Sequence, residues 1–287
     1  MPGFTARHTV LLSLLALLLS ACTACHGPSD EPGNGDFPPG AGTDPIHALY
    51  IGHSFGRPFA EALTDFATDG GIDGHIQDIV MRGGANGAPQ ALWDDTAVRE
   101  EILDTLAGGD IDLLVMICCS QSFLTDQTDP AIRLWMDEAL AANPDTRIVL
   151  ALPWPDYPER DYDDADSYAS VWNDGHEAWH ALIDGLREDY PGTSITCLPH
   201  GRAALELRFL DEDDALPDID QMTGPSADSL FTDVKGHAGQ ILLDVGTLVW
   251  FGSLYDVDVS DHPLADDYET DIAGMADEII TEDDHIR

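Results

Sequence analysis

The chain has 287 residues and a formal net charge of −42, from 54 acidic against 12 basic residues, with Lys235 the only lysine. A charge of that size repels nucleic acid and anionic membrane surfaces, so neither is expected as an electrostatic partner. Such self-repulsion is tolerable where salt screens it, the Debye length falling from about 10 Å at 0.1 M to about 3 Å at 1 M, and the composition reads as adaptation to a saline environment, the alternative being an ordinary acidic exported protein.

The first 21 residues read as a signal peptide. Arg7 supplies a positive start, and the apolar run from Thr9 to Leu19 is too short to span a bilayer comfortably. It ends in "LSAC" (Leu19 to Cys22), which resembles the lipobox of bacterial lipoproteins. That resemblance implies cleavage before Cys22, diacylation of its sulfur, and an exported chain that meets the membrane only through this anchor. Residues 22–45, rich in Gly, Pro and Asp, read as a flexible tether, and 46–287 as one folded domain with an acidic C-terminal tail. "CTACH" (Cys22, Cys25, His26) also matches the attachment motif of c-type haem. The Gly- and Pro-rich stretch behind it lacks the helices that would wrap a macrocycle, and lipidation of Cys22 would exclude haem outright. No cofactor is therefore expected. Cys118, Cys119 and Cys197 leave a disulfide open in an oxidising compartment, with its connectivity unreadable.

From Pro45 onward, strand and helix patterns alternate. Apolar runs mark strands at His47–Ile51, His75–Val80, Ile111–Cys118, Arg147–Leu152 and Ser194–Leu198. Helical patterns lie between them at Arg57–Thr68, Ala97–Ala107, Ala131–Asn143 and Tyr168–Asp189, and a last helix is expected over about His237–Leu254. Continuous apolar strands suit a sheet covered on both faces, hence a parallel α/β fold. In such sheets sites form beyond the carboxyl ends of the strands. Those ends carry Ser54, then "RGGAN" (Arg82 to Asn86), then "CCSQS" (Cys118 to Ser122), then "PWPDYP" (Pro153 to Pro158).

Ser54 sits in "GHSFG", formally the G-x-S-x-G elbow of α/β-hydrolases. That fold places several strands ahead of its serine, whereas here only the first strand precedes it. An alternative is a serine capping the helix that follows. The layout instead resembles the SGNH, or GDSL-like, hydrolases. "IGHSF" is similar to their first block, "GGAN" to their second, and "FTDVKGHAGQ" to the last. The resemblance implies a three-layer α/β/α fold with a mostly parallel central sheet of about five strands. It implies Ser54 as nucleophile, His237 as base, Asp233 as its orienting acid and Gly84 as a backbone oxyanion donor. Two departures stand out. The third block has no asparagine, leaving Ser120, Gln121 or the neighbouring Asn86 as side-chain donors to the oxyanion. The acid and base are also spaced D-x-x-x-H, one residue wider than the family's D-x-x-H. The expected activity is hydrolysis of O-acyl esters, small-molecule or carbohydrate, and the alternative of another class is a catalytically weakened binding module.

"HEAWH" (His176, Glu177, His180) matches the H-E-x-x-H motif that binds zinc on a helix. The apolar stripe of that helix runs through Tyr168, Trp172, Gly175, Trp179, Leu182 and Leu186, and both histidines fall outside it. With no downstream third ligand evident, the motif reads as a solvated helix face, with no metal expected and a zinc peptidase as the competing reading. Trp154 reads as lining a cleft or as loop packing, and Cys118 and Cys119 as buried strand-end thiols.

Overall fold

The computed structural model describes residues 45–117 and 129–286. Its centre is a five-stranded, all-parallel sheet of β1 (His47–Gly52), β2 (Ile76–Met81), β3 (Leu113–Ile117), β4 (Arg147–Ala151) and β5 (Ile195–Leu198). The strands lie in the order 2-1-3-4-5, so chain direction across the sheet reverses between β1 and β3. That is the doubly wound order in which ligands bind at the β1/β3 switch point. β3 is buried along its whole length and β1 almost so, whereas the edge strand β2 alternates exposed and half-buried positions before ending buried. Apolar runs in the sequence thus report strands covered on both faces.

Crossovers between the parallel strands place helices on both sides of the sheet. α1 (Arg57–Asp69), with Pro58 in its first turn, packs against α7 (Gln240–Tyr255). α2 (Pro89–Asp94), α3 (Thr96–Leu106) and α4 (Ala131–Ala142) pack on one another. α5 (Ala165–Asp189) opens with a capping box between Asp164 and Ser167 and packs on α6 (Arg202–Glu212). The result is the three-layer α/β/α arrangement expected from the sequence. α7 is apolar on every side and almost wholly buried, as an all-round hydrophobic helix must be.

Two expectations are corrected. The acidic C-terminal stretch folds into α8 (Ile272–Glu282), which packs on α7 through Ile272, Ala273, Ala276, Ile279 and Ile280. Its buried side chains recur at helical spacing, and its carboxylates stay on the solvent side. The last long helix also starts later than expected. His237 lies three residues ahead of α7, in a loop whose Ala238 bridges Phe231 of β7 (Ser229–Phe231). β7 pairs with the short β6 (Gln221–Thr223), and the sequence reading contained neither strand. Among the described residues no helix is long and apolar enough to cross a membrane.

Candidate active site

Ser54 follows β1 directly, at the switch point. The turn behind it is tight, with the amides of Gly56 and Arg57 both donating to the carbonyl of His53. Gly56, not Ser54, holds the capping position of α1 and makes no side-chain cap, so the serine hydroxyl is not used as a helix cap. It points instead across the sheet edge. Ser54 Oγ lies 2.9 Å from His237 Nε2, and His237 Nδ1 lies 2.7 Å from Asp233 Oδ2. Ser54 and His237 are 183 residues apart in sequence and meet only because both elements end at the same edge.

The hydrogen bonds dictate proton positions. An ionised carboxylate only accepts, so Nδ1 of the ring carries the proton and Nε2 is left as an acceptor for the serine O–H. Partial burial works against the charge on Asp233. The ring of His237 and the backbone amides of His237 and Gly236 outweigh it, and the carboxyl titrates below the ordinary aspartate range. A hydroxyl, an imidazole ready to accept its proton, and a carboxylate fixing that imidazole form the constellation that acyl transfer to serine requires.

The loop carrying His237 is held from outside as well as from within. Trp154 is buried, donates from Nε1 to the carbonyl of Gly236 at 2.8 Å, and meets Phe55 edge-on at 5.0 Å between ring centroids. Tyr157 N donates to the carbonyl of Lys235, and Thr232 N to that of His237. The loop after β4 therefore carries the histidine turn, and of the two readings of Trp154 the packing role is the one seen. Gly236 has φ +98, and a Cβ there would stand 2.8 Å from Pro158 Cδ. Phe55 lies under the imidazole at 5.1 Å, and Lys235 places its Nζ 5.2 Å above the same phenyl ring and 3.8 Å from Asp156. Burial raises the carboxyl of Asp156 above its usual value, with Lys235 and then His237 acting against that shift. Sequence reasoning missed the roles of Phe55, Asp156 and Gly236. A glycine between an acid and its base was the signal available for the last.

Gly84 opens a 3-10 turn, Gly84–Gly87, beyond β2. This turn lies against the serine strand: Arg82 N donates to the carbonyl of Gly52, and a Cβ on Gly87 would collide with Gly52 O and His53 Cβ. Absence of a side chain at Gly87 is what lets the two segments approach. Asn86 is exposed in the same turn. Ser120 and Gln121, with Cys118 and Cys119, lie outside the described residues, as do Cys22 and Cys25. Cys197 is a free, buried thiol.

The histidines of HEAWH depart from expectation. His176 and His180 do not face open solvent but turn onto the buried carboxylate of Asp283, at 2.7 and 3.1 Å. The elements involved are α5 and the segment following α8, neither of which carries Ser54, His237 or Asp233.

A scan against protein-family models gives no match, and no curated protein matches the chain. Among solved structures, a DUF4886 family protein from Bacteroides uniformis superposes with a TM-score of 0.53 at 13% identity, covering 83% of this chain and 95% of that one. Est24, a carbohydrate acetylesterase from Sinorhizobium meliloti, superposes with a TM-score of 0.35 at 11% identity, covering 82% and 99%. The periplasmic domain of a lipopolysaccharide acetyltransferase from Salmonella ser. Paratyphi A gives 0.36 at 14%, covering 57% and 69%. At such identities the first likeness is one of fold, and the other two superpose too loosely to add to it.

Proposed function

We propose that the protein is a serine ester hydrolase that cleaves O-acyl esters through an acyl-enzyme on Ser54. The observation that carries this reading is the unbroken chain from Ser54 Oγ to His237 Nε2 at 2.9 Å and from His237 Nδ1 to Asp233 Oδ2 at 2.7 Å. A serine hydroxyl is a weak nucleophile until a base takes its proton. His237 would take it as Ser54 attacks the ester carbonyl, then return it to the departing alcohol. Water, deprotonated by the same ring, would release the acid from Ser54. Asp233 would hold the ring in the required tautomer and stabilise the imidazolium.

Oxyanion stabilisation falls to the turn after β2 and the segment after β3, with Gly84 offering a backbone N–H and Asn86, Ser120 or Gln121 a side-chain donor. The turn's close seating on Gly52 and His53 supports the first assignment. Small-molecule or carbohydrate acyl esters are the proposed substrates, in keeping with the resemblance to SGNH hydrolases. Export with a lipid anchor at Cys22 is part of the same proposal, supported by the "LSAC" sequence.

The test is labelling with a fluorophosphonate probe together with hydrolysis of p-nitrophenyl acetate. Ser54→Ala should abolish labelling, and Ser54→Ala and His237→Ala should each lower turnover by roughly 10⁴- to 10⁶-fold. The double variant should lose little more, because members of one catalytic unit are non-additive. Unchanged turnover in Ser54→Ala would remove the serine mechanism.

A further inference from the structure

Beyond the serine site, α5, the edge strand β5 and the segment after α8 bring four Lewis-basic side chains to one place. They are His176, His180, Cys197 and Asp283, and their ligand atoms all lie within 4.8 Å of one another. The cluster belongs to the fold's frame. Cys197 N donates to the carbonyl of His285, and His285 N donates to Asp283 Oδ1, so the end of the chain lies along the free edge of β5. The ring of His285 stacks on His180 at 3.8 Å and bonds Asp184 on α5 through Nε2, and His176 stacks on Trp172 at 4.5 Å. The two candidate ligand rings are thus each packed against a ring that is not itself a candidate ligand.

We propose that His176, His180, Cys197 and Asp283 form a closed, tetrahedral zinc site that fastens the C-terminal segment to α5 and the edge of the sheet. Three observations carry it. The histidines are four apart on one helix, the spacing that turns two imidazoles to one side. Cys197 and the side chain of Asp283 are almost completely buried, at 1% and 2% exposure. Asp283 takes both imidazoles, at 2.7 and 3.1 Å, and the Cys197 thiol beside it completes a set of four donors gathered in one place. Finally, a donor set of two imidazoles, one sulfur and one carboxylate suits a borderline-soft ion such as Zn²⁺ and not Ca²⁺ or Mg²⁺, which take oxygen ligands.

The size is right. With Zn–N near 2.0–2.1 Å and Zn–S near 2.3 Å, tetrahedral ligand atoms stand about 3.3–3.6 Å apart. Shifts of about 1 Å close the widest separation of 4.8 Å, and the 2.7 Å contact between His176 and Asp283 opens by about 0.6 Å to admit the ion. Binding replaces the thiol S–H bond by a zinc–sulfur bond and releases that proton to water. Four protein ligands leave no position for a reactive water, whereas catalytic zinc keeps three and an open site. Glu177, the would-be general base of a peptidase, is exposed. The reading of HEAWH as a solvated face without a third ligand is therefore replaced by a structural site. Its partners come from 21 and 107 residues beyond His176, which no local spacing could announce.

The test uses the full chain, loaded with Zn²⁺, desalted, and analysed by mass spectrometry for metals, then stripped and titrated with Co²⁺. One zinc per chain is expected, together with a thiolate-to-cobalt charge-transfer band that disappears in Cys197→Ser. Zinc should raise the melting temperature of the stripped protein, and His180→Gln should weaken zinc binding by about 100-fold or more, since even second-shell losses cost 10- to 100-fold. Substoichiometric zinc in the loaded wild type, cobalt bound without the band, or a band that survives Cys197→Ser would each overturn the site. Peptide cleavage that tracks metal content would overturn its closed character. The wild-type measurements stand even where a variant fails to fold, and none depends on the fate of Ser54.

Discussion

Gly236→Ala tests whether the loop geometry, and not merely the identity of His237, sets the activity. Position 236 has φ +98, where an L side chain is strained, and the added Cβ would stand 2.8 Å from Pro158 Cδ. Left-handed backbone costs a non-glycine residue about 1–2 kcal/mol. Ordinary van der Waals contact begins at 3.4 Å, so the loop must retreat by about 0.6 Å, the difference between the two distances. That retreat lengthens the 2.8 Å bond from Trp154 Nε1 to Gly236 O, a loss of about 1 kcal/mol. The expected stability loss is thus about 2–3 kcal/mol. Because His237 is the next residue, its ring moves with the loop, and misplacement on the order of 1 Å can cost about 10²-fold in rate. The expected fall in kcat/KM is roughly 10- to 100-fold, read with p-nitrophenyl acetate below the melting temperature of the variant. Gly71→Ala is the control. It has a similar positive φ of +84 but nothing within 4 Å of the new Cβ, so it should lose stability without losing activity. A Gly236→Ala enzyme that melts early but turns over at the wild-type rate would refute the positioning argument. Equal rate losses in both variants would refute its locality.

Two other outcomes follow from burial and from the N-terminus. His200 is fully buried among Phe59, Trp154 and Trp250, and burial pushes its imidazole down to about 4. The unfolded ring titrates near 6.5. Its contribution is therefore complete above about pH 6.5 and is lost as pH falls toward 4, some 2.5 units or roughly 3 kcal/mol. The urea midpoint of wild type should fall relative to that of His200→Leu over that window, and parallel profiles would refute the assignment. Mass spectrometry of the exported protein should find a mature chain beginning at a diacylated Cys22, whereas a soluble chain carrying haem on Cys22 and Cys25 would overturn that expectation.

How much was legible depends on whether the physics was local. Strands β1, β3, β4 and β5 were readable to within a residue or two because strands buried on both faces are unbroken apolar runs. The position of Ser54 followed from β1 alone. α8 was hidden because acidic residues crowd the chain on either side of it, from Asp266 to Asp271 and again at Asp283 and Asp284, and the spacing of Ile272, Ala276, Ile279 and Ile280 is what betrays a buried face. α2 is a single short helix, and β6 and β7 are strands of three residues each, too brief for any period to show. The pairing of His176 and His180 with Asp283 was hidden for a different reason. Proximity across 107 residues is a product of the finished fold.

The D-x-x-x-H spacing shows how a departure from a familiar pattern can be absorbed by local geometry. Asp233 Oδ1 accepts the amides of Lys235, Gly236 and His237, at 3.0, 3.1 and 3.3 Å, and Oδ2 takes the imidazole. The carboxylate thus closes a turn over the additional residue and orients the ring at the end of it. Gly236 supplies the positive φ that such a turn needs. One side chain both shapes the loop and polarises the histidine, so the longer spacing costs no reach. His237 and Asp233 are 32% and 48% exposed, and an exposed ion pair alone would hold a ring loosely. Here the pair is not alone. The loop is pinned through the carbonyl of Lys235 by Tyr157 N, of Gly236 by Trp154 Nε1 and of His237 by Thr232 N. The first two tie the site to the loop after β4, whose position the parallel sheet fixes, and the third closes the turn on the residue after β7. The precision of the Ser54–His237 contact is therefore a property of the sheet edge as a whole.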